Sequence, residues 1–371
     1  MDSIMKPLAP QLRDISVIRG QAITFRWDAN CKVDGTWKKE GLMLHSDDRI
    51  IITEPKPYLC FNLTIHNATE EDEGEYSLEL SNWRGQVSGS AKVKVLDYAV
   101  AWRKIDCGEN DLVKTALRKF TPSNTETQCI RFLIHGPIGA GKSSIINSIK
   151  TVFQGRMKVN AYAAPGTETT QTKTYQTYEI KDQQGEKLSF VFNDIMGLES
   201  TETGGVLIAD IISALKGHIV DGYVFNQSSA LSEGFYYNNN PTLNEKVHCL
   251  VSAMPANKIL LLDESNSIIK KMNEVREVAK NLGIPHVVLM THVDSCCPLV
   301  KEDLDKIYVS KKIKIAMENC SIKLGVPMNR IFPVKNYHEE NSLDKKIDCL
   351  ILDALQNIVD FANEYVIKLI E

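Results

Sequence analysis

The sequence predicts two folded domains in tandem, an all-β sandwich followed by an α/β domain with a parallel sheet. Three observations carry this. Between residues 7 and 96, short alternating apolar runs are separated by turn signals, the pattern of a sandwich. From residue 129 onward, apolar strands alternate with amphipathic helical stretches, the pattern of a parallel sheet covered by helices. Between the first such strand and its helix lies Gly136-Pro137-Ile138-Gly139-Ala140-Gly141-Lys142-Ser143, which spells G-x4-G-K-S, a phosphate-binding loop.

Bulk properties narrow the classes. The 371 residues suffice for two or three domains, and 43% apolar with 24% charged residues is ordinary for a globular protein. A net charge of −4 gives no footprint for a polyanion, so no nucleic-acid partner is expected. No run of about 18 apolar residues occurs, so no transmembrane segment is expected, and residues 1–7 lack the apolar core of a signal peptide. The nine cysteines are odd in number and scattered without a C-x-x-C pair, which predicts free thiols in a reducing compartment, the adjacent Cys296 and Cys297 included. The expected location is the cytoplasm, where the sequons at Asn62 and Asn67 stay unused.

Residues 1–6 read as a tail. In residues 7–96, strands are expected over 22–27, 49–53, 59–65, 75–80 and 87–96. Gly20 opens the second strand, Trp37 sits where a core tryptophan is expected, and Asp72-Glu73-Gly74-Glu75-Tyr76-Ser77-Leu78 follows D-x-G-x-Y-x-C except at its end. These residues resemble an intracellular immunoglobulin domain of the I-set type, with Tyr76 as its tyrosine corner. The two inter-sheet cysteine positions hold Trp27 and Leu78, so the expectation is an apolar pair filling the sandwich centre without a disulfide. Cys31 and Cys60 lie off those positions and are left unpaired. Such a domain binds or spaces; it carries no cluster suited to catalysis. Residues 97–128 read as a linker with a helix over 110–120, ended by Thr121-Pro122, and with Trp102 packing it onto a neighbour.

Residues 129–371 form the second domain. A strand over 130–135 precedes the loop and a helix follows it. Gly136, Gly139 and Gly141, with Ala140, let successive N–H groups curl around an anion. The helix N-terminus at Ser144 adds partial positive charge. Lys142 reaches the β- and γ-phosphates and Ser143 offers its hydroxyl to Mg²⁺. A strand is expected over 174–180, and a buried one over 188–192 runs into Asn193-Asp194-Ile195-Met196-Gly197. An apolar strand ending in D-x-x-G assigns Asp194 to Mg²⁺, through water, and the Gly197 N–H to the γ-phosphate.

Further strands are expected over 247–253 and 286–290, separated by a helix over 267–282 that Gly283 ends. The second delivers Thr291-His292-Val293-Asp294, which resembles the N/T-K-x-D base-reading motif of guanine-nucleotide-binding proteins. That resemblance implies that Asp294 accepts from guanine N1–H and the 2-amino group, that Thr291 fills the first position, and that His292 stacks where lysine lays its stem. Val334-Lys335, in the last strand and loop (331–336), resembles the element whose backbone N–H meets guanine O6. The closing helix over 344–370 is apolar at Ile347, Ile351, Leu355, Ile358, Ala362, Val366 and Leu369, a stripe expected to pack on the domain's own sheet.

Taken in order, these segments resemble the interferon-induced protein 44 and 44-like family over nearly the whole chain. The most specific stretches are Gly136 to Ser144, Thr291-His292-Val293-Asp294-Ser295 and Pro333-Val334-Lys335-Asn336-Tyr337. The resemblance implies an interferon-inducible cytoplasmic protein of antiviral immune response that binds GTP or GDP.

Small GTPases place a glutamine after D-x-x-G to orient water; here Leu198 stands there. Slow hydrolysis is expected unless a partner or a second protomer, as a homodimer through this domain, supplies the group. Glu199 is a candidate substitute, its alternative being an exposed loop carboxylate. A first-switch threonine for Mg²⁺ and the γ-phosphate is sought among Thr169, Thr170 and Thr172, with Thr170 preferred. Residues 216–246 form a long insertion rich in Tyr and Phe, either a lid or partner surface coupled to the switch or a surface loop. Two functions remain open: a GTP-dependent switch, or a scaffold with a structural or vestigial nucleotide site whose sandwich binds the protein partner.

Overall fold

A computed structural model describes residues 5–53, 59–96, 101–157, 172–201, 204–262 and 266–370. The chain divides into two units, Met1–Ala101 and Trp102–Glu371.

In the first unit, alternation with period two builds eight strands: β1 (Ile15–Ile18), β2 (Ile23–Asp28), β3 (Asp34–Lys39), β4 (Leu42–Met43), β5 (Ile50–Thr53), β6 (Cys60–Ile65), β7 (Gly74–Asn82) and β8 (Gly85–Leu96). They form a five-stranded sheet, β1-β8-β7-β3-β4, and a three-stranded sheet, β2-β6-β5. Inward residues alternate along β6 (Phe61, Leu63, Ile65) and β7 (Tyr76, Leu78, Leu80), all buried. Tyr76 donates its hydroxyl hydrogen to the Asp72 carbonyl at 2.9 Å, the tyrosine corner. No disulfide joins the described residues of this unit, and Cys31 and Cys60 are free.

One expectation is corrected. Leu78 is buried, but Trp27 is only partly buried at the edge of the core. Phe25 instead fills the centre, 5.7 Å from the Trp37 ring and 5.8 Å from Tyr76. Trp27 pairs with Phe61 near the end of the β2–β6 ladder, two residues beyond the centre, so its large ring reaches the rim. The two described residues of the expected tail are held: Asn82 Nδ2 and Asn30 Nδ2 donate to the carbonyls of Met5 and Lys6.

The second unit opens with α1 (Asn110–Lys119), then β9 (Ile130–His135), α2 (Lys142–Gln154), β10 (Gln176–Lys181), β11 (Lys187–Asp194), α3 (Ile208–Leu215), β12 (Cys249–Pro255), α4 (Ala256–Ile259), α5 (Ser267–Asn281), β13 (His286–Thr291), α6 (Val293–Cys296), α7 (Pro298–Glu302), α8 (Lys311–Leu324), β14 (Ile331–Pro333) and α9 (Lys345–Lys368). The sheet order is β10-β11-β9-β12-β13-β14, parallel except for the antiparallel edge strand β10. Every residue of β12 and β13 is buried, so both sheet faces are covered. One helix group joins α1 and α2 to α9; another packs α5 against α3 and α8. Asp344 caps α9 by accepting from the N–H groups of Lys346 and Ile347, and the α9 stripe is buried from Ile347 to Val366, with Leu369 exposed.

Two further corrections concern residues 97–128. From Trp102 on, the expected linker belongs to the second unit: Trp102 meets Tyr308 edge-on, Arg103 donates to the carbonyls of Ile331 and Met328, and Asn124 donates to Val366 O. Nor are all nine thiols free. Cys107 and Cys349 are bonded, and the other seven are unpaired. The partners lie 242 positions apart, and only the packing of α1 against α9 brings them together. Among the described residues no helix is long and apolar enough to cross a membrane.

Candidate functional site

The C-terminal ends of the parallel strands gather the site, as open α/β sheets generally do. The glycine loop leaves β9 at Gly136, where φ is 145° and an added Cβ would lie 2.2 Å from the Ala253 carbonyl oxygen; only glycine fits. At its other end Gly141, with φ of 79°, caps α2, whose first N–H groups have no intrahelical acceptor. The Lys142 side chain is buried and curls back over the loop, donating to the Gly136 and Pro137 carbonyls at 3.3 Å each.

Asp194, at the end of β11, is fully buried. Its Oδ2 accepts from Ser143 Oγ at 2.5 Å and from Thr172 Oγ1 at 3.4 Å, and the two hydroxyls are 3.3 Å apart. Its Oδ1 is buried with no partner. Burial pushes the Asp194 carboxyl above its ordinary range, opposed by the charge of Lys142; burial likewise lowers Lys142, opposed by Asp194. An orphaned carboxylate oxygen beside two hydroxyls is an all-oxygen set, which suits a hard divalent cation such as Mg²⁺. Among the described residues, Thr172 is the candidate threonine that reaches this cluster; Thr169 and Thr170 lie outside them.

Gly197 sits against Ile138, with room for no Cβ. Leu198 is buried and clamped to the loop, its N–H donating to Gly136 O at 3.0 Å and its carbonyl accepting from Ile138 N–H at 3.1 Å. Its side chain belongs to the core, not to a position where it meets water. Glu199 is half-buried, turned towards Gly204, and its carbonyl accepts from Lys271 at 3.1 Å.

On the other flank, Thr291 ends β13 and its Oγ1 donates to Ala140 O at 2.8 Å. His292 adopts a left-handed φ of 55°, and its ring approaches Gly141. Burial lowers the His292 pKa, which Asp294 opposes, so the ring is neutral at neutral pH. Asp294 lies half-buried in the first turn of α6. Val334 N–H donates to Met290 O at 2.8 Å, continuing the β13–β14 pairing, and Lys335 is paired with Glu340 at 2.6 Å. Ser144 lies in the first turn of α2, where its carbonyl accepts from Ser148.

Two residues escaped the sequence reading. Asn336 donates Nδ2 to Gly141 O at 3.2 Å while its Oδ1 is buried and unmatched. Lys258, in α4, reaches Ile138 O at 3.4 Å. Lys258 stands in no short motif; Asn336 stands in the Pro333-Val334-Lys335-Asn336-Tyr337 stretch, but no role was assigned to it.

The 216–246 segment is no loose loop. Phe225 N–H donates to Lys173 O at 2.9 Å, Gly222 N–H to Tyr175 O at 2.8 Å, and Tyr175 N–H to Tyr223 O at 2.7 Å. It therefore grips the stretch that immediately follows Thr172. Tyr223 and Phe225 are buried, whereas Phe235 is 88% exposed.

Residues 7–95 match the immunoglobulin I-set domain model. Interferon-induced protein 44 of Homo sapiens is 37% identical over 254 residues, which is 68% of this chain and 56% of that protein. Interferon-induced protein 44-like of Homo sapiens is 32% identical over 252 residues, 67% of this chain and 55% of that protein. The chain thus spans little more than half the length of the curated relatives it matches. Among solved structures, the trigonal form of titin M4 is 22% identical, covering 24% of this chain and 95% of that one, with a TM-score of 0.23.

Proposed function

The chain is a homologue of interferon-induced protein 44 and 44-like, at 32–37% identity over about two thirds of its length, and on that premise we propose that its second unit is a Mg²⁺-dependent GTP-binding switch of an interferon-induced antiviral response. The observation that carries this reading is the Asp194 carboxylate, buried with one oxygen unmatched beside Ser143, Thr172 and Lys142.

In this reading Gly136, Gly139, Ala140 and Gly141 present backbone N–H groups to the phosphates, and Ser144 belongs to the helix end that adds positive charge. Lys142 exchanges its two loop carbonyls for phosphate oxygens. Ser143, Thr172 and Asp194 hold Mg²⁺, which neutralises phosphate charge when bound. Gly197 N–H meets the terminal phosphate. Asp294 reads the guanine edge, His292 stacks as a neutral ring, and Thr291 and Asn336 fix the loop against the base-binding strand.

Hydrolysis is slow in this reading. Leu198 cannot orient water and its backbone is bound to the loop. Lys258 is the cation already at the loop edge; Glu199 faces away towards Gly204. The missing group comes from a partner or from a second protomer. Ordering of Thr172 passes to 216–246 through the Lys173–Phe225 and Tyr175–Gly222 bonds, so that segment, or the I-set domain, presents the surface that a protein partner reads.

Competition between GTP and ATP for the purified chain, with and without Mg²⁺, tests the assignment. Preference for GTP that strengthens with Mg²⁺ is expected. Equal binding of the two would remove Asp294 from base reading; no binding of either would leave the scaffold as the better account.

A further inference from the structure

At the end of the sheet opposite the glycine loop, α5, α8 and α9 terminate around a cavity of about 480 Å³. Its inner wall includes His286, the first residue of β13, while Thr291 at the other end of that strand touches the loop. At 3.3 Å per residue the two ends are about 17 Å apart, so the cavity is separate from the site described above.

The lining charge is one-sided. Arg276, Lys280, Arg330 and Lys368 line it with one carboxylate, Glu364, and Glu277 takes up the charge of Arg276, which leaves a surplus of two positive charges. Three helix C-termini each bring roughly half a negative charge, which offsets most of that surplus and leaves the cavity weakly positive. Arg276 is committed at both terminal nitrogens, donating Nη1 to Gly325 O at 3.0 Å and Nη2 to Glu277 at 2.5 Å. Lys280 is 3.9 Å from Glu277. Arg330 stacks over the Phe361 ring at 5.0 Å, and neither it nor Lys368 forms an ion pair among the described residues.

The remaining wall suits an apolar body. Phe361 and Tyr365 supply ring surface, and the volume falls in the range of small-molecule sites. His286 is held neutral: burial, then the charges of Arg276 and Arg330, bring it down to about 3. Its Nε2 lies 2.7 Å from Ser252 Oγ, and its Nδ1 is buried and unmatched. We propose that this cavity binds a small aromatic phosphate monoester, its dianion among Arg330, Lys280 and Lys368 and its ring against Phe361 and Tyr365. A phosphate offers three oxygens to these three cationic side chains, where a carboxylate offers two. The proposal is independent of the nucleotide reading.

Calorimetric titration of the full chain with phenyl phosphate tests it, with benzoate as the singly charged control. Affinity near millimolar is expected for so small a probe, unchanged in Lys142→Ala. The Lys280→Ala/Lys368→Ala double variant, which removes two exposed side chains and so keeps its unfolding temperature, should bind about 10-fold more weakly, the equivalent of about 1.4 kcal/mol. Arg330→Gln should weaken binding likewise. Loss in Lys142→Ala with retention in the double variant would locate the probe in the glycine loop and overturn the proposal. So would absence of binding to the unaltered chain, and benzoate binding as tightly would overturn the phosphate assignment.

Discussion

Asp72 and Asp194 are both buried carboxylates, and the two units treat them differently. In the sandwich, Asp72 takes Arg49 on both oxygens, at 2.9 Å and 2.7 Å, and the Thr69 N–H at 2.8 Å. What the described sandwich core leaves unmatched are neutral indole N–H groups, of Trp27 and Trp37. In the α/β unit, Asp194 keeps an orphaned oxygen, His135 and His286 each bury an unmatched Nδ1, and Asn336 buries an unmatched Oδ1. Unmatched buried polar groups are costly. The α/β unit leaves a carboxylate oxygen unmatched, whereas the described sandwich leaves only neutral N–H groups so.

Acid should separate the two units most widely. Burial lowers His286 to about 3 and His248 to about 4. The unfolded chain, with histidines near 6.5, takes up these protons between about pH 4 and 6.5 while the folded unit does not, so stability rises with pH across that window and is lost as pH falls. At pH 5 the two together remove about 4 kcal/mol from the α/β unit. In the sandwich, burial raises Asp72 but its hydrogen bonds from Arg49 and Thr69 win and hold it low. Its contribution is present above the ordinary carboxylate pKa and is lost only as pH falls through the depressed folded value. Calorimetry should therefore show one transition moving down on going to about pH 5 while the other stays. Joint movement would break the comparison.

Lys142→Ala comes next. It should weaken GTP binding about 100-fold, equivalent to about 2.7 kcal/mol, without lowering the unfolding temperature of the nucleotide-free chain, since it removes a buried charge. A fluorescent GTP analogue reads the first effect and a thermal melt the second; a large fall in melting temperature would show that Lys142 serves the fold. The smallest effect is in the sandwich. Arg49→Ala strands the Asp72 carboxylate and should destabilise that unit by about 2 kcal/mol, discounted because Arg49 is itself partly exposed. Urea unfolding measures it, and nucleotide affinity should not change.

What was legible in the sequence was what short-range chemistry writes. The glycine loop, the strand that ends at Asp194, the strand that ends at Thr291 and the α9 stripe all follow from periodicity and local spacing, and so does the Tyr76 corner. What was illegible is long-range. The Cys107–Cys349 bond, the Asn336–Gly141 contact and the pairing of 222–225 with 173–175 join residues with no local pattern between them. Trp27 illustrates a subtler limit: the resemblance put it at an inter-sheet cysteine position, but the centre lies two residues earlier, at Phe25. Thr172 was in view, yet a run of threonines has no internal mark of register, and its hydrogen bond to Asp194 exists only in three dimensions.

The Cys107–Cys349 bond also has a mechanical meaning. All six strands of the α/β sheet, from Ile130 to Pro333, lie within the covalent ring it closes. A pull on the two ends of the chain runs through the bond and bypasses the sheet. Unfolding inside the ring then adds no length, and roughly 800 Å of contour stays hidden, at about 3.4 Å for each extended residue. Cleaving that one bond by reduction releases the whole length, so a thiol reductant decides whether tension on the chain reaches the α/β sheet at all.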